Sequence, residues 1–232
     1  MRDQFVGDIT DWIKFSLLRA LAGEDRSLGI SWYYIEDRAE AKPADLDRDV
    51  ADALTSLGAR TVTALESLPI WNGNTKFFRK QVPHTTFRKR WLEDMKDALD
   101  GADIVFLDPD NGLGQADALH ATTGEVAGLR KDGRAVVLIH FPHFSLGHAE
   151  QISKHQQFLM EETNAKSIFT IKTRVTVQRQ NPYGQSMHLQ RARWFSVLDG
   201  DEVIRKRAKI FVEKLCNIKG CHASLEPEST ND

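Results

Sequence analysis

The feature that most constrains this chain is an alternation. Short runs that are apolar at nearly every position, such as "ADIVFLD" (102–108) and "RAVVLIHF" (134–141), are separated by stretches whose apolar residues recur at helical spacing. A strand without a polar face has to be covered on both sides, which helices on either face of a mostly parallel sheet achieve. The same pattern continues along the chain. "ITDWIKFSLLRALAG" places Ile9, Trp12, Ile13, Leu17, Ala20 and Leu21 on one helix face, with Gly23 as a stop. "LGISWYYIED" reads as a buried strand, "LDRDVADALTSLG" as a helix closed by Gly58, and "RTVTAL" as a second strand. Residues 69–83 look irregular, and Thr85 or Thr86 can cap a helix through "FRKRWLEDMKDALDG". "GEVAGLRKDG" predicts a short helix and "GHAEQISKHQQFLMEET" a long one. "SIFTIKTRVTVQR" and "MHLQRARWFSVL" alternate with period two and are joined by "QNPYGQS", as in a hairpin with a longer loop. A last helix covers "DEVIRKRAKIFVEKLCN".

The expectation is one α/β domain over residues 1–222, with an irregular basic insertion at about 69–90 and a flexible tail at 223–232. Its sheet is expected to be seven-stranded and mostly parallel, with helices on both faces and an antiparallel strand pair near the C-terminus. No apolar run approaches the roughly 20 residues that span a bilayer, so no membrane role is expected. "MRDQFVGDIT" lacks a signal-peptide pattern, which leaves the cytoplasm as the expected location. Cys216 and Cys221 are too few for a structural zinc site and read as reduced thiols.

In sheets of this type ligands bind beyond the carboxyl ends of the strands, so the residues that follow each strand are the candidates. They are Asp108, Pro109, Asp110 and Asn111 after "IVFL", Glu36 and Asp37 after "LGISWYYI", and His140, Pro142 and His143 after "VVLI". The net charge of −2 argues against a general attraction to nucleic acid, yet the charges are segregated. Neither Ser67–Leu92 nor Thr163–Leu198 contains an Asp or Glu. Lys76, Arg79 and Lys80 in the first window and Lys172 and Arg174 in the second are candidate contacts to the phosphates of RNA or DNA. Phe87 and Trp91, four apart on one predicted helix, read instead as a packing pair.

Three motifs resemble class I S-adenosylmethionine-dependent methyltransferases. "LRKDGRAVVLIHF" is similar to the leucine-(lysine)-x-glycine-glycine signature that enters the fifth strand of that fold. "FLDPDNG" falls where amino-methyltransferases acting on adenine or cytosine carry Asp/Asn-Pro-Pro-aromatic. "VGDITDWIKF" resembles the Gly-Asn-x-x-Asp-x-x-Lys-His opening of a bacterial ribosomal RNA adenine methyltransferase family, with Gly7, Asp11 and Lys14 matching.

The resemblance implies S-adenosylmethionine as cofactor and a base amine in RNA or DNA as acceptor. Asp108 would orient the amine, Pro109 would shape the turn, and Asp110 and Asn111, which replace the second proline and the aromatic, would contact the base edge. Lys14 and Asp11 would lie at the cofactor, where Lys14 would neutralise its carboxylate, and Glu36 or Asp37 would hold its ribose. The sequence departs from the family after the first strand, where "YYIEDRAEAKPAD" contains no glycine. Two other readings use the same residues. Asp108, Asp110, His140 and His143 offer ligands for a divalent metal in a nuclease or phosphoesterase. A fold of this kind that has lost catalysis could act as a nucleic-acid or protein binding module.

Overall fold

In the computed structural model, which describes residues 6, 7, 9–34, 47–58, 61–142, 147–180 and 186–230, the two fully apolar runs lie side by side as β3 (Ile104–Leu107) and β4 (Ala135–His140). Alternation along β3 sends Ile104 and Phe106 into one hydrophobic layer and Val105 and Leu107 into the other. The first layer is built with α1 (Ile9–Ala22), α2 (Arg48–Thr55), α3 (Val62–Glu66) and α7 (Glu202–Cys216). The second is built with α4 (Arg88–Ala98), α5 (Thr123–Leu129) and α6 (His148–Thr163). That is the two-sided cover that an uninterrupted apolar strand requires.

The remaining strands are β1 (Leu28–Ser31), β2 (Lys76–Phe78), β5 (Ser167–Gln180), β6 (Ser186–Leu198) and β7 (Cys221–Thr230). They complete a seven-stranded sheet in the order β2-β1-β3-β4-β6-β5-β7. Strands β2, β1, β3 and β4 are parallel to one another, whereas β4 to β6, β6 to β5 and β5 to β7 are antiparallel. The sheet is therefore mixed, and the expectation of a mostly parallel one is corrected: β6 runs back between β4 and β5, and β7 adds a further reversed edge. β4 pairs with β6 only as far as His140 opposite Trp194, but β5 and β6 stay paired to Gln180 opposite Ser186. At about 3.3 Å per residue, Thr173–Gln180 carries this arm roughly 25 Å past the end of β4.

Three local expectations are also corrected. The stretch expected as a second strand contains helix α3 from Val62, because the side chain of Thr61 accepts a hydrogen bond from the Ala64 backbone and caps a turn there. The segment taken as irregular contains β2, which pairs with β1 from Lys76 to Phe78. The tail expected beyond residue 222 lies in β7, paired with β5 through the backbone although its sequence offers few apolar side chains. Among the described residues no helix is long and apolar enough to cross a membrane.

Candidate functional site at the carboxyl edge of the sheet

The connection from β1 leads to β2 on one side and that from β3 leads to β4 on the other, so the strand order reverses between β1 and β3. The crevice beyond the carboxyl ends at such a reversal is the standard ligand position in open α/β sheets. Asp108 stands there. Its backbone N–H continues the ladder to the Ser31 carbonyl at 3.0 Å. By strand alternation its side chain follows Ile104 and Phe106 to the α1 face.

Under α1, Lys14 Nζ lies 3.0 and 2.8 Å from the two oxygens of Asp108 and 2.8 Å from Asp11 Oδ1. The Gly7 backbone N–H donates to the other oxygen of Asp11 at 2.7 Å. Asp11, Lys14 and Asp108 are 1%, 3% and 3% exposed. Burial alone would lower the lysine pKa, but the carboxylates of Asp108 and Asp11 outweigh it and hold the ammonium well above the ordinary lysine value. Lys14 thus holds Asp108, where the resemblance put it against a cofactor carboxylate.

The turn that follows is tightly packed. Pro109 is buried, Asp110 half-buried and Asn111 exposed, and the Asn111 N–H donates to Leu119 O at 2.9 Å. Gly112 has φ +80°, and a Cβ there would come within 2.6 Å of His140 Nδ1. Only glycine suits both constraints. The His140 ring lies 4.2 Å from that of His155 and 5.8 Å from that of Trp194. Burial and the neighbouring His140 push the His155 pKa down to about 3.

On the opposite face, Tyr33 leaves β1 with φ +46°, an uncommon backbone for a bulky residue. Its hydroxyl donates to Glu125 at 2.8 Å, and burial, followed by Glu125, raises its pKa well above the ordinary tyrosine value. Glu125 also accepts from Arg88 and from the Thr122 backbone, within a capping box that opens α5. Arg88 further donates to the carbonyls of Asp117 and His120, tying the loop after Gly112 to α4. Tyr33, Arg88 and Glu125 were not singled out from the sequence. Thr122 and Glu125 do carry a readable capping signature, whereas Arg88 is one cation in a run of three.

Glu36, Asp37 and His143 lie outside the described residues. Among the described residues no three His, Cys, Asp or Glu side chains converge as metal ligands. The basic windows are segregated in sequence but not in space. Arg79 pairs with Glu66 at 2.6 Å, Lys80 with Asp94 at 2.8 Å and Lys172 with Glu226 at 2.8 Å. Lys76 donates to the Asp100 carbonyl, and Arg174 is exposed. Solvent-accessible pairs of this kind contribute little to stability. The packing-pair reading holds for Trp91, at 4% exposure, but is corrected for Phe87, which is 66% exposed at the start of α4.

No family model matches this sequence, and no curated protein matches it. Among solved structures, a precorrin-8w decarboxylase from Methanobacterium thermoautotrophicum is similar at 10% identity and a TM-score of 0.35, covering 80% of this chain and 88% of that one. A candidate RNA methyltransferase from Pyrococcus horikoshii is similar at 12% identity and a TM-score of 0.35, with coverage of 81% and 79%. A precorrin-6y C5,15-methyltransferase from Geobacter metallireducens is similar at 13% identity and a TM-score of 0.34, with coverage of 79% and 85%. At this level the similarities decide neither substrate nor cofactor.

Proposed function

We propose that this chain transfers a methyl group from S-adenosylmethionine to an exocyclic amine of a base in RNA or DNA, with the amine held at Asp108. The observation that carries this reading is the contact of Lys14 with both oxygens of Asp108. Two segments 94 positions apart, each resembling an amino-methyltransferase motif, close on one another at the strand reversal.

The cofactor would supply a methyl group made electrophilic by the adjacent sulfonium. Asp108 would accept a hydrogen bond from the amine, as a carboxylate does through its oxygen lone pairs. This aims the nitrogen lone pair away from the acid and toward the methyl carbon. Lys14 is a positioning residue that fixes the carboxylate in one rotamer. The carboxylate of Asp108 favours the positive charge that grows on the amine. Lys14, held between Asp108 and Asp11, is not offered to a cofactor carboxylate. After β1 the chain offers Trp32 and Tyr33, both fully buried, in place of glycines. Adenosine contacts are therefore assigned to the segment containing Glu36 and Asp37. Among the described residues, the metal reading has no comparable geometric support.

The test is calorimetric titration with S-adenosylmethionine and with its demethylated product, paired with methyl transfer to RNA and DNA acceptors. Wild type and Asp108→Asn are expected to bind the cofactor alike, while the variant loses turnover by about 100-fold or more. No detectable binding of either compound to the wild-type chain would sink the reading.

A further inference from the structure

Past the end of β4, the β5–β6 arm and β7 enclose a cavity of about 180 Å3 whose lining includes His148, Lys172, Arg174, His222 and Ser224. Strand register explains why these residues meet. Lys172 lies opposite Ser224 and Arg174 opposite His222, and alternate residues of a strand share a face. His148, the first residue of α6, approaches that face with its ring 5.4 Å from Trp194, which is itself the β6 partner of Lys172. Glu226 tempers the charge: it pairs with Lys172 and accepts from the Ser224 hydroxyl. Among the described residues Arg174 enters no ion pair. Two cations, two imidazoles and a hydroxyl converging in one small cavity make a site for an anion with several acceptor oxygens. At about 180 Å3 it falls below the roughly 300 Å3 of small-molecule pockets, so it admits one phosphate group and not a whole nucleotide.

The cavity is also joined to the candidate site. Gly112 packs on His140, the His140 ring lies 5.8 Å from Trp194, and Trp194 meets His148 at the cavity wall. We propose that the cavity is a phosphate subsite, holding one backbone phosphate of the nucleic-acid strand whose base is presented to Asp108. The proposal rests on the reading given above and adds the place where the strand is held. In it, Arg174 makes the bidentate contact, His222 adds a further donor, and the projecting arm forms a wall along which the strand runs.

The experiment is fluorescence anisotropy of the 232-residue chain with 5′-labelled single-stranded RNA and DNA over a salt series, alongside melting-temperature shifts with inorganic phosphate. Arg174→Ala is expected to weaken oligonucleotide binding about tenfold and to lower the magnitude of the salt slope by about one. His222→Ala should act in the same direction. Lys131→Ala, an exposed cation just before β4 at the opposite edge, should change neither quantity. Oligonucleotide binding that Arg174→Ala and His222→Ala leave unchanged overturns the cavity assignment and leaves the acceptor reading standing. An Arg174-dependent shift with inorganic phosphate, in a chain that binds no oligonucleotide, overturns both the strand assignment and the nucleic-acid acceptor.

Discussion

Two buried charge networks flank the same strand ends, and they differ in what closes them. On the α4 and α5 face, Arg88 and Glu125 cancel one another. Their remaining hydrogen bonds go to Tyr33, to the α5 cap and to two loop carbonyls. On the α1 face, one ammonium joins a carboxylate from its own helix to one from the end of β3. The first network is satisfied by local backbone and behaves as a clasp. The second places an ammonium and two carboxylates in a dry place at the strand reversal, where ionised groups are costly to bury and mark a candidate functional position.

The sharpest way to break this contrast is to remove the cation from each network. Arg88→Met leaves Glu125 buried and uncompensated, so denaturant unfolding should show a loss of about 3–5 kcal/mol while turnover per folded molecule persists. Lys14→Met should cost a comparable amount and also abolish turnover at temperatures where the variant is still folded. Equal residual activity in the two variants would show that both networks are merely structural.

A smaller effect appears in alkali. Lys14 has a folded-state pKa raised above its ordinary value of 10.5. Its contribution to stability is therefore complete below that pH and declines as pH rises past it toward the folded value. Tyr33, also raised, acts with the same sign. Urea midpoints measured on either side of this window should fall steeply for wild type and less steeply for both Tyr33→Phe and Lys14→Met. A wild-type slope retained in Lys14→Met would remove the lysine as its cause.

The smallest effect belongs to Phe87→Ala. Its ring is 66% exposed, so stability should move by no more than about 0.5 kcal/mol. This isolates the cost of Arg88 from any general loosening of the α4 start. A larger loss would mean that the clasp depends on the helix terminus and not on the ion pair.

Legibility from sequence followed side-chain burial. β3, β4 and the flanking helices were readable because their apolar patterns record what they pack against, and α1 was readable through Ile9, Trp12, Ile13 and Leu17. β2 and β7 were not, because they are held by backbone pairing and expose much of their side-chain surface. α3 was misread because β-branched Thr61, Val62 and Thr63 imitate a strand, while a single cap hydrogen bond decides for helix. Asp108 and Lys14 were each visible as candidates, through a strand end and a motif. Their meeting across 94 residues was not, and it changes the role that Lys14 receives. Gly112 was hidden for a related reason, since what forbids a side chain there is His140 from another strand.

The depth of Lys14 has a consequence for chemical labelling. An amine-reactive reagent needs a neutral, accessible nitrogen, and this one is protonated, bidentate to Asp108 and 3% exposed. Acylation of Lys14 can therefore proceed only through molecules in which the first helix has parted from the sheet edge. Followed by mass spectrometry beside a surface amine such as Lys131, its modification rate is a clock for the opening of the candidate site.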